Sequence, residues 1–267
     1  MKKMTLLIPF ALFGCAELKK LKEDLEAITN DFVISTFYIG TVEFSDARVD
    51  LSTIEEMQGT QAVTYLVSAE TMDGSTPPPV TRADVILSTD EGTSVTLEED
   101  AGGLYSGNSE DGLEYQAGEL VTITADYNGE SHSAAVTAPA PPTYDAPEDH
   151  PLNTDLTIDI SGQGYDSALT FVAYFGTGGA GNIVYSNKPQ DFSELYAFAY
   201  PDETVTDVSV TIPADSFAEE GLYVIALGGV VGGETDDMDN VNTLLSSVLA
   251  TQMAFDIVCV PDCTVGQ

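Results

Sequence analysis

Carboxylates are by far the commonest side chains in this sequence that could do chemistry. The 267-residue chain has 44 Asp and Glu residues against 8 Lys and Arg residues, which gives a formal net charge of −36. Paired carboxylates can act as acid and base in glycoside hydrolysis, but they need a set separation and one apolar setting. With this many acids no pair stands out, and the chain has no Trp to line a sugar site. Composition therefore assigns no catalytic pair.

The two histidines do not complete a catalytic motif. His132 and His150 have no nearby Ser in a G-x-S-x-G sequence, and no H-E-x-x-H sequence occurs. Both rings are expected to face solvent. We therefore predict that the protein is not an enzyme, and a hydrolase with a site assembled in space is the alternative.

Two acidic runs could hold calcium, which takes six to eight oxygen ligands. One run, Glu98–Asp100, is expected in a loop. No D-x-[DN]-x-[DN]-G sequence occurs, so solvated loops are the other interpretation. The calcium hypothesis leads to a second function, a calcium-dependent adhesin or carbohydrate-binding protein. Its candidate ligands lie in a second predicted loop and are Glu234, Asp236, Asp237 and Asp239, beside Asn240.

Two further patterns have simpler interpretations. Cys259 and Cys263 are separated by three residues, which does not match a thioredoxin-like C-x-x-C site, and neither His lies nearby as a zinc ligand. A small structural disulfide is predicted, with free thiols as the alternative. The G-x-G-x-x-G sequence at 176–181 lies between two predicted strands, whereas a dinucleotide site needs a helix after it. A hairpin loop is predicted there.

The N-terminus has the pattern of an export signal. Lys2 and Lys3 precede an apolar run at 4–13, which is too short to cross a bilayer. The sequence Leu12-Phe13-Gly14-Cys15 resembles the lipobox of bacterial lipoproteins. The resemblance implies a lipidated Cys15, palmitate among its acyl chains and, because Ala16 follows, an outer-membrane location. Which face of that membrane carries the protein is left open.

The rest of the chain predicts strands. Short runs rich in Val, Ile, Thr, Tyr and Phe alternate with Gly, Pro, Asp and Asn, and Asn128-Gly129 is a strong hairpin signal. Five prolines between Ala138 and Pro151 predict a stiff, extended linker. The predicted divisions are a signal peptide at 1–14, a lipid-anchored and possibly helical tether at 15–30, a β-sandwich at 31–137, the linker at 138–151 and a second β-sandwich at 152–267.

A repeated sequence suggests what kind of sandwich these are. An acidic turn precedes Tyr105 in the first unit and Tyr223 in the second. Both resemble the tyrosine corner of immunoglobulin-like domains, which implies a hydroxyl that bonds to the backbone upstream. The predicted fold is all-β, with two immunoglobulin-like sandwiches. Because 106–108 is predicted to be a turn, a transthyretin-like sandwich is the alternative for the first unit.

These observations together predict a non-catalytic structural or binding module of the cell envelope. Its membrane contact is the lipid anchor, and no cofactor is expected apart from possible calcium. The acidic charge excludes a nucleic-acid binder, which needs a basic surface to displace counterions from phosphate. The predicted partner is an envelope protein, a glycan or a cationic molecule.

Overall fold

The structure is a computed structural model that describes residues 32–68, 78–176, 180–189, 194, 198, 208–233 and 247–261. The predicted all-β class is confirmed, because no helix of seven or more residues occurs in this part of the chain. The strands are β1 (Phe32–Thr41), β2 (Gln61–Ser68), β3 (Asp84–Thr89), β4 (Ser94–Ala101), β5 (Leu104–Asn108), β6 (Leu120–Tyr127), β7 (Glu130–Thr137), β8 (Leu156–Asp159), β9 (Ser167–Phe175), β10 (Gly181–Ser186), β11 (Ser209–Ile212), β12 (Gly221–Gly233) and β13 (Ser247–Val260).

Eleven of these strands form one sheet, in the order β10-β9-β12-β13-β1-β2-β5-β4-β3-β6-β7, and β8 pairs with β11 separately. The sheet crosses the predicted domain boundary because β1 pairs in parallel with β13, from Ser35 opposite Ser247 to Thr41 opposite Met253. At its far end the sheet folds back, so that β7 packs against β12 and β13. The division into two domains stays a prediction.

Strand β1 is buried on both faces, from Phe32 to Gly40. Tyr38 lies in a core shared with β3, β6 and β7, and Phe37 lies in a second core with β9 and β12. A strand covered on both sides needs no alternation of apolar and polar residues. The nearly continuous apolar sequence of β1 follows from this position.

Three hydrophobic cores hold the sheet together. The first lies between β1, β2 and β5 on one side and β3, β6 and β7 on the other. The second covers one face of β9, β12 and β13, where Ile54 and Met57 from two short 3-10 turns close it. The third lies on the opposite face, under the pair β8–β11, with Phe217 fully buried in it.

The proline-rich segment is bonded to both halves of the chain. The hydroxyl of Tyr115 donates to Pro139 O at 2.9 Å, and that of Tyr165 donates to Ala140 O at 3.1 Å. Further along, the Tyr144 hydroxyl donates to Ile225 O at 2.9 Å. The backbone at 148–150 then bonds to Cys259 N and O, each at 2.8 Å. The segment has no regular structure, and these bonds fix it in place.

Strands are found in both halves of the chain after residue 31, as predicted. The turn predicted at 106–108 is wrong, because these residues belong to β5, which pairs with β2 and β4. The predicted signal peptide and tether lie outside the described residues. Among those described, no helix is long and apolar enough to cross a membrane.

Candidate functional site

A polar cleft of about 480 Å³ opens at one end of the first core. Two elements build it: the turn that leads into β3, and the hairpin between β6 and β7. Because β3 and β6 are neighbours in the sheet, the two elements lie side by side. The residues lining the cleft are Thr81, Arg82, Asp84, Asp126, Tyr127, Asn128 and Gly129.

The turn at Arg82 is held in an unusual conformation from two sides. Arg82 has φ +64°, a left-handed value that a residue with a Cβ adopts only at a cost. Its backbone N–H donates to Glu99 Oε2 at 2.8 Å. The Tyr105 hydroxyl accepts from Ala83 N at 2.9 Å and donates to Val80 O at 3.2 Å. A carboxylate on β4 and a buried tyrosine on β5 therefore fix the backbone that carries Arg82.

The opposite wall is the predicted Asn-Gly hairpin, which the structure confirms. Asn128 and Gly129 have φ of +54° and +89°, and Tyr127 pairs with Glu130 across them. Positive φ at both central residues is the type I′ turn that suits the twist of two antiparallel strands. The ring of Tyr127 packs edge-on against Phe32 at 5.9 Å between centroids, which ties the hairpin to β1.

Two carboxylates face each other across the cleft floor. Asp84 on β3 and Asp126 on β6 are direct cross-strand partners, and both are exposed. Like charges directly opposite on neighbouring strands destabilise a sheet. By this principle the placement of Asp84 opposite Asp126 is unfavourable for strand pairing.

The guanidinium of Arg82 has no carboxylate partner in the part of the chain that the structure describes. Arg48 gives the contrast, because it binds both oxygens of Asp46 at 2.9 Å and so keeps the pKa of that carboxyl low. In a chain with 44 acids, an exposed arginine without an ion pair is unexpected. Within the described residues, the Arg82 side chain is therefore exposed and without an ion pair.

The cleft is equipped for binding. It offers the carboxylates as acceptors, the guanidinium as a donor, and hydroxyl and amide groups that do both. No Ser, Cys or His is among its lining residues, and its one aliphatic hydroxyl, on Thr81, has no histidine beside it in that lining. Among the described lining groups, none forms the nucleophile and base pair that acyl transfer requires.

The calcium site predicted in the second acidic run stays a prediction. Glu234, Asp236, Asp237 and Asp239, with Asn240, lie outside the described residues, as does Cys15. The loop predicted at Glu98–Asp100 is wrong, because these residues belong to β4. Asp100 accepts a hydrogen bond from Ser106 Oγ at 2.6 Å. In the described ranges no group of three or more His, Cys, Asp or Glu side chains could hold a metal ion.

The histidine expectation is wrong for His150, which is buried. Its Nε2 lies 2.8 Å from Thr154 O, and its ring packs on Phe217 at 4.6 Å. His132 is partly buried and packs edge-on against Phe32 at 4.6 Å. Both rings serve packing, because each is placed against a phenylalanine.

Other predicted site residues fall at the ends of strands. Cys259 is buried near the end of β13 and Cys263 lies outside the described residues, so their disulfide stays a prediction. The glycine-rich sequence at 176–181 joins two strands, β9 and β10, that pair antiparallel, as predicted for a hairpin. The hydroxyl of Tyr223 donates to Glu219 O at 2.8 Å and accepts from Glu219 N at 3.2 Å.

Sequence reasoning did not identify Arg82, Asp84 or Asp126 as site residues. One signal was present, since Arg82 is one of only three basic residues after position 31. No protein-family model matches this chain, and no curated protein is significantly similar to it.

Proposed function

We propose that this protein is a lipid-anchored, non-catalytic binding module of the outer cell envelope. In this proposal Cys15 carries the acyl chains, since two or more chains hold a membrane stably whereas one holds it marginally. The rest of the chain presents a rigid β-structure away from the membrane. Its negative charge repels anionic lipid and favours this orientation.

The observation that carries the binding role is the cleft at Arg82. An exposed guanidinium, without an ion pair among the described residues, lines the cleft together with two opposed carboxylates, Asp84 and Asp126. Groups that cost stability and are held in place by their neighbours are typical of a functional site. A purely structural module has no need of this arrangement.

Two further features support a rigid presentation of the cleft. The proline-rich segment is bonded to β12 and β13 through Tyr144 and through the backbone at 148–150. The proposed disulfide between Cys259 and Cys263 would close the chain just after β13. Rigid scaffolds that carry exposed turns are the usual way to build a binding surface.

Fractionation of cells tests the anchor. Cys15→Ser is expected to move the protein from the membrane to the soluble fraction, because the acylated thiol is lost. Cys263→Ser is the matched control and is expected to stay in the membrane fraction. A Cys15→Ser protein that fractionates with membranes as before would contradict the proposed anchor.

A further inference from the structure

We infer that the cleft at Arg82 binds a neutral, polyhydroxylated ligand, a glycan, without a metal ion. This inference rests on the proposed binding role and names its ligand class. It concerns the lining residues Thr81, Arg82, Asp84, Asp126 and Asn128.

The hydrogen-bonding groups of the cleft call for a ligand that both donates and accepts. Asp84 and Asp126 accept only, and Arg82 donates only. Adjacent sugar hydroxyls can donate to a carboxylate with one oxygen and accept from a guanidinium with the next. Asn128 and Thr81 can each do both, so they complete a mixed set. A glycan satisfies all of these groups at once.

The charges in and around the cleft disfavour a simple anion or a simple cation as its ligand. An anion drawn to Arg82 would meet two carboxylates nearby and a protein of formal charge −36. A cation drawn to Asp84 and Asp126 would add positive charge beside the guanidinium and leave it without an acceptor. A neutral ligand avoids both repulsions, and it also separates the two carboxylates with hydroxyl donors.

The cleft is also of suitable size and is fixed before binding. Its volume of about 480 Å³ falls within the range of small-molecule sites. Glu99 and Tyr105 hold the Arg82 turn, and the type I′ turn at Asn128 fixes the other wall. Groups already in place lose little conformational entropy when they bind. Tyr127, half-buried, supplies an aromatic side chain in the lining.

The test uses the full chain in a detergent without a sugar headgroup, with EDTA present. Maltotriose, cellotriose and tri-N-acetylchitotriose are the neutral probes, followed through backbone amide NMR signals. At least one probe is expected to shift the signals of Arg82 and Asn128 with a Kd of about 1 mM or tighter. Affinity is expected to stay constant from about 0.15 M to about 1 M NaCl, because no net charge is involved.

Three charged probes provide the competing outcomes: glycine as a zwitterion, putrescine as a dication and calcium chloride without EDTA. The inference is overturned if none of the three sugars shifts these signals at about 50 mM. It is equally overturned if only a charged probe shifts them, or if sugar binding requires calcium.

Arg82→Gly is the decisive variant, because glycine adopts φ +64° without strain and the fold should be kept. Sugar affinity is expected to fall about tenfold or more with an unchanged or higher melting temperature. Arg48→Gly removes the same charge outside the cleft and is expected to bind as the parent does. Equal affinity of Arg82→Gly and the parent would contradict the inference. The fractionation of Cys15→Ser is independent of sugar binding, so the two proposals can fail separately.

Discussion

Two tyrosines with similar sequence contexts have different structural roles in the fold. Tyr105 and Tyr223 each follow an acidic turn, and each is 1% exposed. Burial raises the pKa of both hydroxyls, so both stay protonated donors at neutral pH. Their environments in sequence and in solvent exposure are therefore closely matched.

The difference lies in the distance along the chain that each hydroxyl bridges. Tyr223 bonds to both backbone groups of Glu219, four residues before it. Tyr105 bonds to Val80 and Ala83, 25 and 22 residues before it. The first arrangement fixes a local turn. The second ties a distant turn to the core, and that turn carries Arg82.

The side chains that pack around the two tyrosines also differ. Tyr223 belongs to an aromatic cluster in which it packs on Phe217 at 5.2 Å and on Tyr174 at 5.0 Å. Phe217 in turn packs on His150. The ring of Tyr105 is part of the first core. Its hydroxyl accepts a hydrogen bond from Ala83 N, next to the cleft residue Arg82. The same motif therefore supports packing in one region and the proposed binding site in the other.

The largest effect is expected from the aromatic cluster around Tyr223. Phe217→Ala removes a fully buried ring and should lower the free energy of unfolding by about 4 kcal/mol. Urea or guanidinium denaturation measures the loss. Sugar affinity measured at a temperature where the variant is folded should not change, because Phe217 belongs to the third core whereas the cleft opens at the first. A loss of sugar affinity would show that the Tyr223 region also supports the cleft, which would contradict the comparison.

A medium effect is expected from Tyr105→Phe. The substitution keeps the ring but leaves Ala83 N and Val80 O without their partner. Stability should fall by about 2 kcal/mol, since both groups are partly sheltered from water. Sugar affinity should fall as well, because the Arg82 turn loses one of its supports. Denaturation together with the NMR titration checks both effects, and unchanged affinity would mean that Glu99 alone is enough.

Tyr223→Phe is the matched control and should have a smaller effect. Glu219 is exposed, so water can replace the lost hydroxyl at its N–H and C=O. The expected loss is about 1 kcal/mol or less, with full sugar affinity. If this variant loses as much stability as Tyr105→Phe, then the two hydroxyls are equivalent and the comparison fails.

The smallest predicted effect is on the pH dependence of stability. One carboxyl group in each half of the chain contributes to it, with opposite signs. Burial raises the pKa of Glu119, and repulsion from Glu91, Asp90 and Glu114 adds to the rise. A raised folded pKa gives stability that is complete below the unfolded pKa and is lost as pH rises through the folded value. Asp159 shows the opposite, since hydrogen bonds from Ser161 lower its pKa.

Glu119→Gln should therefore raise the melting temperature at pH 7 by no more than about 4 °C, with no gain near pH 4. Asp159→Asn should do the reverse, with its small loss at pH 7 disappearing in acid. Melting curves over this pH range measure both. A gain for Glu119→Gln that is equal at pH 4 and pH 7 would show that its carboxyl charge is not responsible.

Much of the secondary structure could be predicted because it depends on near neighbours. Strand β6 (Leu120–Tyr127) alternates apolar and polar residues, a pattern that can be read from the sequence. The Asn128-Gly129 hairpin follows from the backbone freedom of those two residues. Strand β5 was missed because Ser106-Gly107-Asn108 has turn composition. Gly107 lies under Leu97 and Leu113, and this contact favours glycine there within a strand.

The candidate site could not be predicted, since its parts come together only through pairing between strands. Asp84 and Asp126 are 42 positions apart in the sequence and become direct neighbours when β3 pairs with β6. His150 was expected in solvent because its sequence neighbours are prolines and acids. Its burial depends on Phe217 and on the bonds to Cys259, which no local pattern indicates.

The sequence by itself determined the all-β class, the positions of most strands and turns, and the strongly acidic charge. These follow from residue types and from spacings of a few residues, which act through local backbone preferences and simple composition. Only the tertiary structure decided that β1 pairs with β13, that the proline-rich segment is bonded in place, and that Arg82 has no ion pair with any described residue. These features depend on contacts between distant parts of the chain, and their energies arise only when the cores form.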